Sequence, residues 1–176
     1  FIFSFIVYFD TMAPTVSYWD CGEFIAVSYR LSVPHPPGSP LFLLLGRIIS
    51  MIPFNPDIAF RVNILSPLSS ALAVMFLYLT IVIIVTHWRG KITSNNDALI
   101  AFGGAAVGAL TFAFTDSHWF NAVEAEVYSM STFFTAIVVW LILQWSERAD
   151  EKGHERYILF LSLIHISEPT RRTPIS

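Results

Sequence analysis

Three long stretches of this chain, 64–86, 98–115 and 127–145, contain no charged residue over 23, 18 and 19 positions respectively. Nothing else in the sequence constrains the fold as strongly. About 20 helical residues cross the hydrocarbon core of a bilayer, and 18 or more apolar, uncharged residues in a row read as a spanning helix. Hydrocarbon offers the backbone no hydrogen-bond partners, so each stretch must satisfy its own N–H and C=O groups, as a helix does. The predicted class is therefore all-α, a polytopic transmembrane helix bundle. Composition agrees: 13% of the 176 residues are charged and 55% are apolar, against roughly 25% and 45–50% in soluble domains. Soluble globular, disordered, collagen-like and nucleic-acid-binding classes are excluded. A net charge of −3 is too small to imply a polyionic partner, and the partners expected on these grounds are membrane lipids, not nucleic acid. A single cysteine, Cys21, allows no internal disulfide and no cysteine-based metal cluster.

The remaining segments fall between these stretches. Residues 1–9 are apolar but too short to span, and read as the end of a first transmembrane helix; no basic n-region marks a signal peptide. Residues 10–57 form a long mixed loop, too polar at its start and too rich in Pro and Gly around Pro34-His35-Pro36-Pro37-Gly38 to span. Helical character is expected within it over Cys21–Leu31 and Leu41–Ile52. The second is a 12-residue run carrying Arg47, a length suited to an interfacial or re-entrant helix. After Pro53-Phe54-Asn55-Pro56, a spanning helix is expected over 58–87, kinked at Pro67. A polar loop to Asp97 leads to the second full span, 98–115. Its Gly104-x-x-x-Gly108 spacing would admit a closely packed neighbour. A turn over 116–126 precedes the third span, 127–145; a charged loop follows, and 157–161 begins a further helix. Residues 162–176 resemble a translated sequencing-adapter read-through and are expected to be foreign to the native chain.

Loop charge orients the bundle. Arg89 and Lys91 lie in one loop, and Arg148, Lys152 and Arg156 in another, whereas 116–126 holds three acids and no Lys or Arg. The positive-inside rule makes the basic loops cytoplasmic. It places 10–57 and 116–126 together on the extracytoplasmic face of a plasma (inner) membrane, although Arg30, Arg47 and Arg61 run against the bias.

That face gathers the chemically unusual residues. Asp20 and Glu23 are three apart, on one face of a helix starting at Cys21. Such a carboxylate pair suits general-base work on a hydroxyl, or coordination of a divalent cation. The same Asp-x-x-Glu spacing also fits a capping box, with Asp20 capping and Glu23 reaching back. His35 precedes two prolines that hold the chain extended, which suits either a stiff platform or a plain turn. Glu124 and Glu126 stand just before a spanning helix, where acids also favour the positive end of the helix dipole. Arg30, Arg47 and Arg61 could pair a phosphate bidentately or snorkel to lipid headgroups. His118 and His154 have no partners at ligand spacing, and Trp88, Trp119, Tyr128 and Trp145 read as an interfacial belt. Walker loop, zinc motif, nucleophile elbow and dinucleotide fingerprint are all missing.

Three blocks in order, Trp19-Asp20-Cys21-Gly22-Glu23-Phe24, His35-Pro36-Pro37-Gly38 and Ala122-Val123-Glu124-Ala125-Glu126-Val127-Tyr128, resemble the N-terminal part of a bacterial membrane family labelled "of unknown function". That family is similar to the eukaryotic transmembrane-type protein O-mannosyltransferase and sits with the GT-C glycosyltransferases. The resemblance covers about residues 1–161. It implies a partial GT-C fold whose long first extracytoplasmic loop, 10–57, bears surface helices and the essential acid. The implied activity is transfer of a sugar, mannose on this likeness, from a polyprenyl-phosphate carrier to a protein Ser or Thr hydroxyl. Asp20 and Glu23 then match the catalytic acids, while Arg30, His35, Glu124 and Glu126 are the expected substrate contacts. Metal dependence stays open, with a divalent cation as one option. The implied piece lacks later helices, so it would be inactive alone. A transporter or scaffold bundle, and a GT-C transferase with a glycolipid acceptor, are the alternative functions; the charge-free spans speak against ion-coupled transport.

Overall fold

A computed structural model describes residues 1–35, 39–90, 92–147, 157 and 159–162. Pro36, Pro37, Lys91, the charged segment 148–156 with His154, and the suspected foreign tail from 163 onward lie outside the described residues. Every regular element among those described is helical, as expected. Three helical stretches are long and apolar enough to cross a membrane: Ile58–Arg89, Asn95–Ala113 and Val127–Glu147.

Helix α1 (Ile2–Thr11) leads into an extended loop. Helices α2 (Cys21–Arg30) and α3 (Pro40–Ser50) follow, then α4 (Ile58–Asn63) and the 25-residue α5 (Leu65–Arg89). At 1.5 Å rise per residue, α5 is about 37 Å long, enough to cross the hydrocarbon core by itself. The expected single helix over 58–87 is thus interrupted, and the break falls at Ile64 instead of Pro67. Proline explains the offset. Pro67 has no N–H to offer the carbonyl four residues back, that of Asn63, so the ladder opens one turn before the ring itself. Asp57 caps α4, its carboxylate accepting the Ala59 N–H at 2.7 Å, and Gly90, at φ 87°, ends α5.

The second long span starts earlier than the charge pattern suggested. Ser94 and Asp97 form a complete capping box at the head of α6 (Asn95–Ala98). The helix continues through a π-helical segment, Leu99–Gly103, into α7 (Gly104–Ala113). Gly104-x-x-x-Gly108 is not the packing seam. A Cβ at Gly104 would meet nothing within 4 Å, although one at Gly108 would approach Ile81 Cδ1 at 3.2 Å. The buried stripe is Ala101, Ala105, Ala109 and Ala113, spaced four apart on one face and set against α5. The expected turn over 116–126 contains a short helix, α8 (Asp116–Ala122), before α9 (Val127–Glu147). Trp119 also departs from the interfacial-belt reading. Its ring packs inward against Tyr8 and Phe114, with centroids 5.6 and 5.4 Å away. Trp88 is 86% exposed, as a belt residue would be.

Helix α5 is the central strut, with α9, α7, α1 and α8 packed on it. Beside it, α2, α3 and α4 build a second apolar cluster from Cys21, Phe24, Ile25, Phe42, Leu43, Val62 and Leu65. Helices α2 and α3 meet at Gly46, where a Cβ would stand 2.6 Å from Ser28 Oγ. Two arginines considered for phosphate binding are occupied within this layer. Arg61 donates to the backbone carbonyls of Ser50, Asn55 and Pro56, and Arg47 donates to Tyr29 O while lying over its ring. In both cases the guanidinium closes backbone acceptors left over at a helix end or turn.

One buried side chain ties the loop before α2 to the end of α4. Asn63 has no exposed surface; its amide donates to the carbonyls of Ala13 (2.9 Å) and Thr15 (3.0 Å), and its oxygen accepts from Cys21 Sγ at 3.8 Å. Asn63→Leu keeps the volume but removes the donor to both part-buried carbonyls and the acceptor of the Cys21 thiol, at about 0.5–1.5 kcal/mol per hydrogen bond lost. The expected outcome is a clear fall in thermal midpoint in detergent micelles, together with faster proteolysis between residues 12 and 20. An unchanged midpoint would show that the loop is held by something else.

Candidate functional site

The loop before α2 and the turn before α9 meet at one end of the bundle. Ala13 N–H donates to Val123 O at 2.7 Å, and Glu126 N–H donates to Ser66 Oγ at 3.2 Å. Both segments that carry the expected acids are thereby fastened to the head of α5.

Asp20 occupies the N-cap position of α2, yet its side chain makes no capping hydrogen bond. Glu23 does not reach back to the cap either, so the capping box does not form. Instead Glu23 turns across to His35, 12 residues on. One carboxylate oxygen accepts the His35 backbone N–H at 2.8 Å, and the other lies 2.7 Å from His35 Nδ1. The opposite ring nitrogen, Nε2, is 3.9 Å from the Asp20 carboxylate. His35 thus sits between the two acids, with its ring also against Phe24. The cluster opens to solvent: side-chain exposure is 59% for Asp20, 37% for Glu23 and 47% for His35. Glu23, hydrogen-bonded by the His35 ring and backbone, is held below the usual carboxylate range. The same contact and its charge hold the His35 imidazolium above the usual histidine range.

Beneath this open layer lies a buried one. Glu124 and Glu126 are 3% and 7% exposed, and Glu124 Oε1 has no hydrogen-bond partner. Burial, followed by the charges of Glu124 and Asp20, pushes Glu126 up to about 7. Cys21, fully buried between the layers, has its thiol pushed up by burial. Of the six expected site residues, Asp20, Glu23 and His35 come into one cluster, and Glu126 lies close enough to feel the charges of Asp20 and His35. Arg30 does not join them. It stands at the far end of α2, seven residues beyond Glu23 and about 10 Å along the helix axis, exposed and without a bond to the cluster.

The arrangement offers two carboxylates, one hydrogen-bonded to the imidazole and one 3.9 Å from its far nitrogen, with the ring between them. One ligand atom from each of Asp20, Glu23 and His35 can be chosen so that all three lie within 4.8 Å of one another. Two carboxylate oxygens and an imidazole nitrogen form a donor set suited to a divalent cation, which a modest closure would bring into range. Sequence reasoning missed Asn63 as the residue that holds the site's approach. A lone Asn beside a helix-breaking proline was its only signal. It also passed over His118, which is buried with its ring 4.3 Å from that of Phe112 and its Nε2 unpartnered.

Residues 20–166 match the family model of the protein O-mannosyl-transferase TMEM260 N-terminal domain. Protein O-mannosyl-transferase tmem260 of Dictyostelium discoideum is 34% identical over 160 residues, and protein O-mannosyl-transferase TMEM260 of Mus musculus is 31% identical over 138. These alignments cover 89% and 78% of this chain. The chain spans only 18% of the length of each of these relatives. No solved structure matches it.

Two pH responses follow from the site. The His35 side of the Glu23–His35 pair contributes fully below the free histidine pKa of about 6.5 and is lost as pH rises through the raised folded value. The Glu23 side contributes fully above about 4.3 and is lost as pH falls through the lowered one. His35→Ala should therefore move the Glu23 carboxyl titration upward, and Glu23→Gln should move the His35 ring titration downward. Both can be read by NMR of the labelled side chains, and the pair is discounted if neither moves. Glu126 behaves in the opposite sense, because burial disfavours its charge. Stability falls as pH rises from the unfolded carboxylate value through about 7. Glu126→Gln should remove that fall and stabilise the fold by on the order of 1–3 kcal/mol above neutrality, with little effect in acid. Thermal midpoints at pH 5 and pH 8 test the difference.

Proposed function

The chain belongs to the protein O-mannosyl-transferase TMEM260 N-terminal domain family, and on that premise we propose that it supplies the catalytic loop of a membrane glycosyltransferase. The donor is a sugar, mannose, on a polyprenyl phosphate. The acceptor is a Ser or Thr hydroxyl of a protein, and the reaction takes place at the extracytoplasmic face. The observation that carries this reading is the cluster of Asp20, Glu23 and His35 on the loop, at the membrane end of α5 where the acidic turn 123–126 also docks.

The geometry supports a division of labour. Both oxygens of Glu23 are engaged by His35, so Glu23 is a poor base and serves to orient the ring and keep it protonated. Asp20 has an open carboxylate and is the proposed general base. It takes the acceptor hydroxyl proton while that oxygen forms the new bond to the anomeric carbon, and the bond from that carbon to the lipid phosphate breaks with inversion. The leaving phosphate carries negative charge, and the His35 imidazolium stands near enough to Asp20 to stabilise it. A divalent cation held by the same three side chains would require the imidazole to be deprotonated, and would then supply that stabilisation in place of the imidazolium. The central runs of the three spans, 64–86, 98–113 and 127–145, carry no charged residue, which favours a site at the membrane surface over a conduit through the bilayer.

The test uses the full-length protein reconstituted in vesicles with a lipid-linked mannose donor. Asp20→Asn should lower kcat by about 10²–10⁴-fold, the range for loss of a general base. Glu23→Gln should cost less and shift the pH profile, since it acts through His35. Normal transfer by both variants would remove the assignment of this cluster as catalytic.

A further inference from the structure

Among the described residues, two non-glycine positions have left-handed backbones, Leu31 at φ 50° and Trp19 at φ 57°. Leu31 is explained by local structure. It is the C-cap of α2, with its N–H donated to Ser28 O and the next N–H, that of Ser32, donated to Val27 O. A left-handed residue at that position ends many helices. Trp19 has no such role. It precedes α2, and it is a bulky residue where glycine would be the relaxed choice. The strain is not offset by packing, because Trp19 is 83% exposed and its neighbour Tyr18 is 82% exposed. Backbone strain of this kind persists where the surrounding structure imposes it, and it clusters at active sites and ligand clamps.

Its position says what it presents to. Trp19 immediately precedes Asp20, so its Cα lies one peptide step, about 3.8 Å, from that of the proposed base. An interfacial-belt role accounts for an exposed tryptophan but not for a strained one, since a belt residue needs no particular backbone conformation. A pyranose has hydroxyls around its rim and C–H bonds on its faces. The hydroxyls suit carboxylates such as Asp20, and the weakly positive C–H face suits the negative face of an indole. We infer that Trp19 is the stacking surface for the sugar ring of the lipid-phosphate-linked donor, at the edge of the Asp20–Glu23–His35 cluster. This rests on the transferase reading above.

Glycine separates strain from function. In the full-length protein in vesicles, Trp19→Gly relieves the backbone, so its thermal midpoint should equal or exceed that of the parent. Its KM for polyprenyl-phosphate mannose should rise about tenfold with kcat nearly unchanged, and Trp19→Phe should recover most of the affinity because it restores an aromatic face. Tryptophan fluorescence supplies a readout independent of turnover. The mannosylated lipid should perturb emission in the parent more than sugar-free polyprenyl phosphate does, and Trp19→Phe should abolish that difference. An unchanged KM in Trp19→Gly overturns the stack, as does an equal response to both lipids. A fallen midpoint in Trp19→Gly with KM unaltered shows a structural residue instead. Absence of transfer by the parent protein, with the sugar-dependent signal retained, removes the transferase reading and leaves the stack standing.

Discussion

Asn63 is a primary amide with no exposed surface, placed where the ladder between α4 and α5 is broken and bonded to two carbonyls about 50 residues away in sequence. An amide in that position is costly unless each polar atom finds a partner. Its partners, Ala13, Thr15 and Cys21, belong to the segment that enters the acidic cluster. The break itself is a consequence of Pro67, which withholds an N–H from the Asn63 carbonyl. A single proline therefore opens the helix, and the amide beside the opening draws the loop down onto it. The Ala13 N–H completes the linkage by donating to Val123 O, so that the loop and the second acidic turn share one anchorage.

Two layers of acid follow from this anchorage. Asp20 and Glu23 stay at the surface with His35, whose ring and backbone N–H hold the Glu23 carboxyl below its usual range. Glu124 and Glu126 lie beneath, where burial first and neighbouring charge second push Glu126 up. Two carboxyl groups of the same intrinsic acidity, Glu23 and Glu126, are thus set apart by partner and by depth. The Glu23–His35 contact settles which surface carboxylate is left open, and so which one the proposed mechanism uses as a base.

Much of this was legible in the residues. Charge-free runs identified three spans, and their ends were misjudged only where capping decided them, as Ser94 and Asp97 do for the second span. The acidic face was visible because basic residues are scarce in 116–126. Contacts set by packing were not visible. Gly104 and Gly108 looked like a seam, yet four alanines on another face form it, because a small-residue pattern does not say which way a helix is turned. Asp20 and Glu23 fitted a capping box and a reactive pair equally well. The capping box is not formed because Glu23 turns to His35, which a loop of unknown path could have put anywhere. Arg30 shares a helix with the cluster but lies almost two turns beyond Glu23, at the opposite end.

The sequence by itself determined that this chain lies in a membrane, that it is helical there, and which residue types collect between the spans. Those properties depend on the transfer of side chains and backbone from water to hydrocarbon, which is additive along the chain and needs no knowledge of neighbours. The tertiary structure alone decided which acids are exposed and which buried, and that Glu23 is hydrogen-bonded to His35 while Asp20 stands 3.9 Å from its ring. It also decided that Trp19 stands strained and uncovered beside them. Depth, pairing and strain are properties of position in space, and contacts between distant parts of the chain create them.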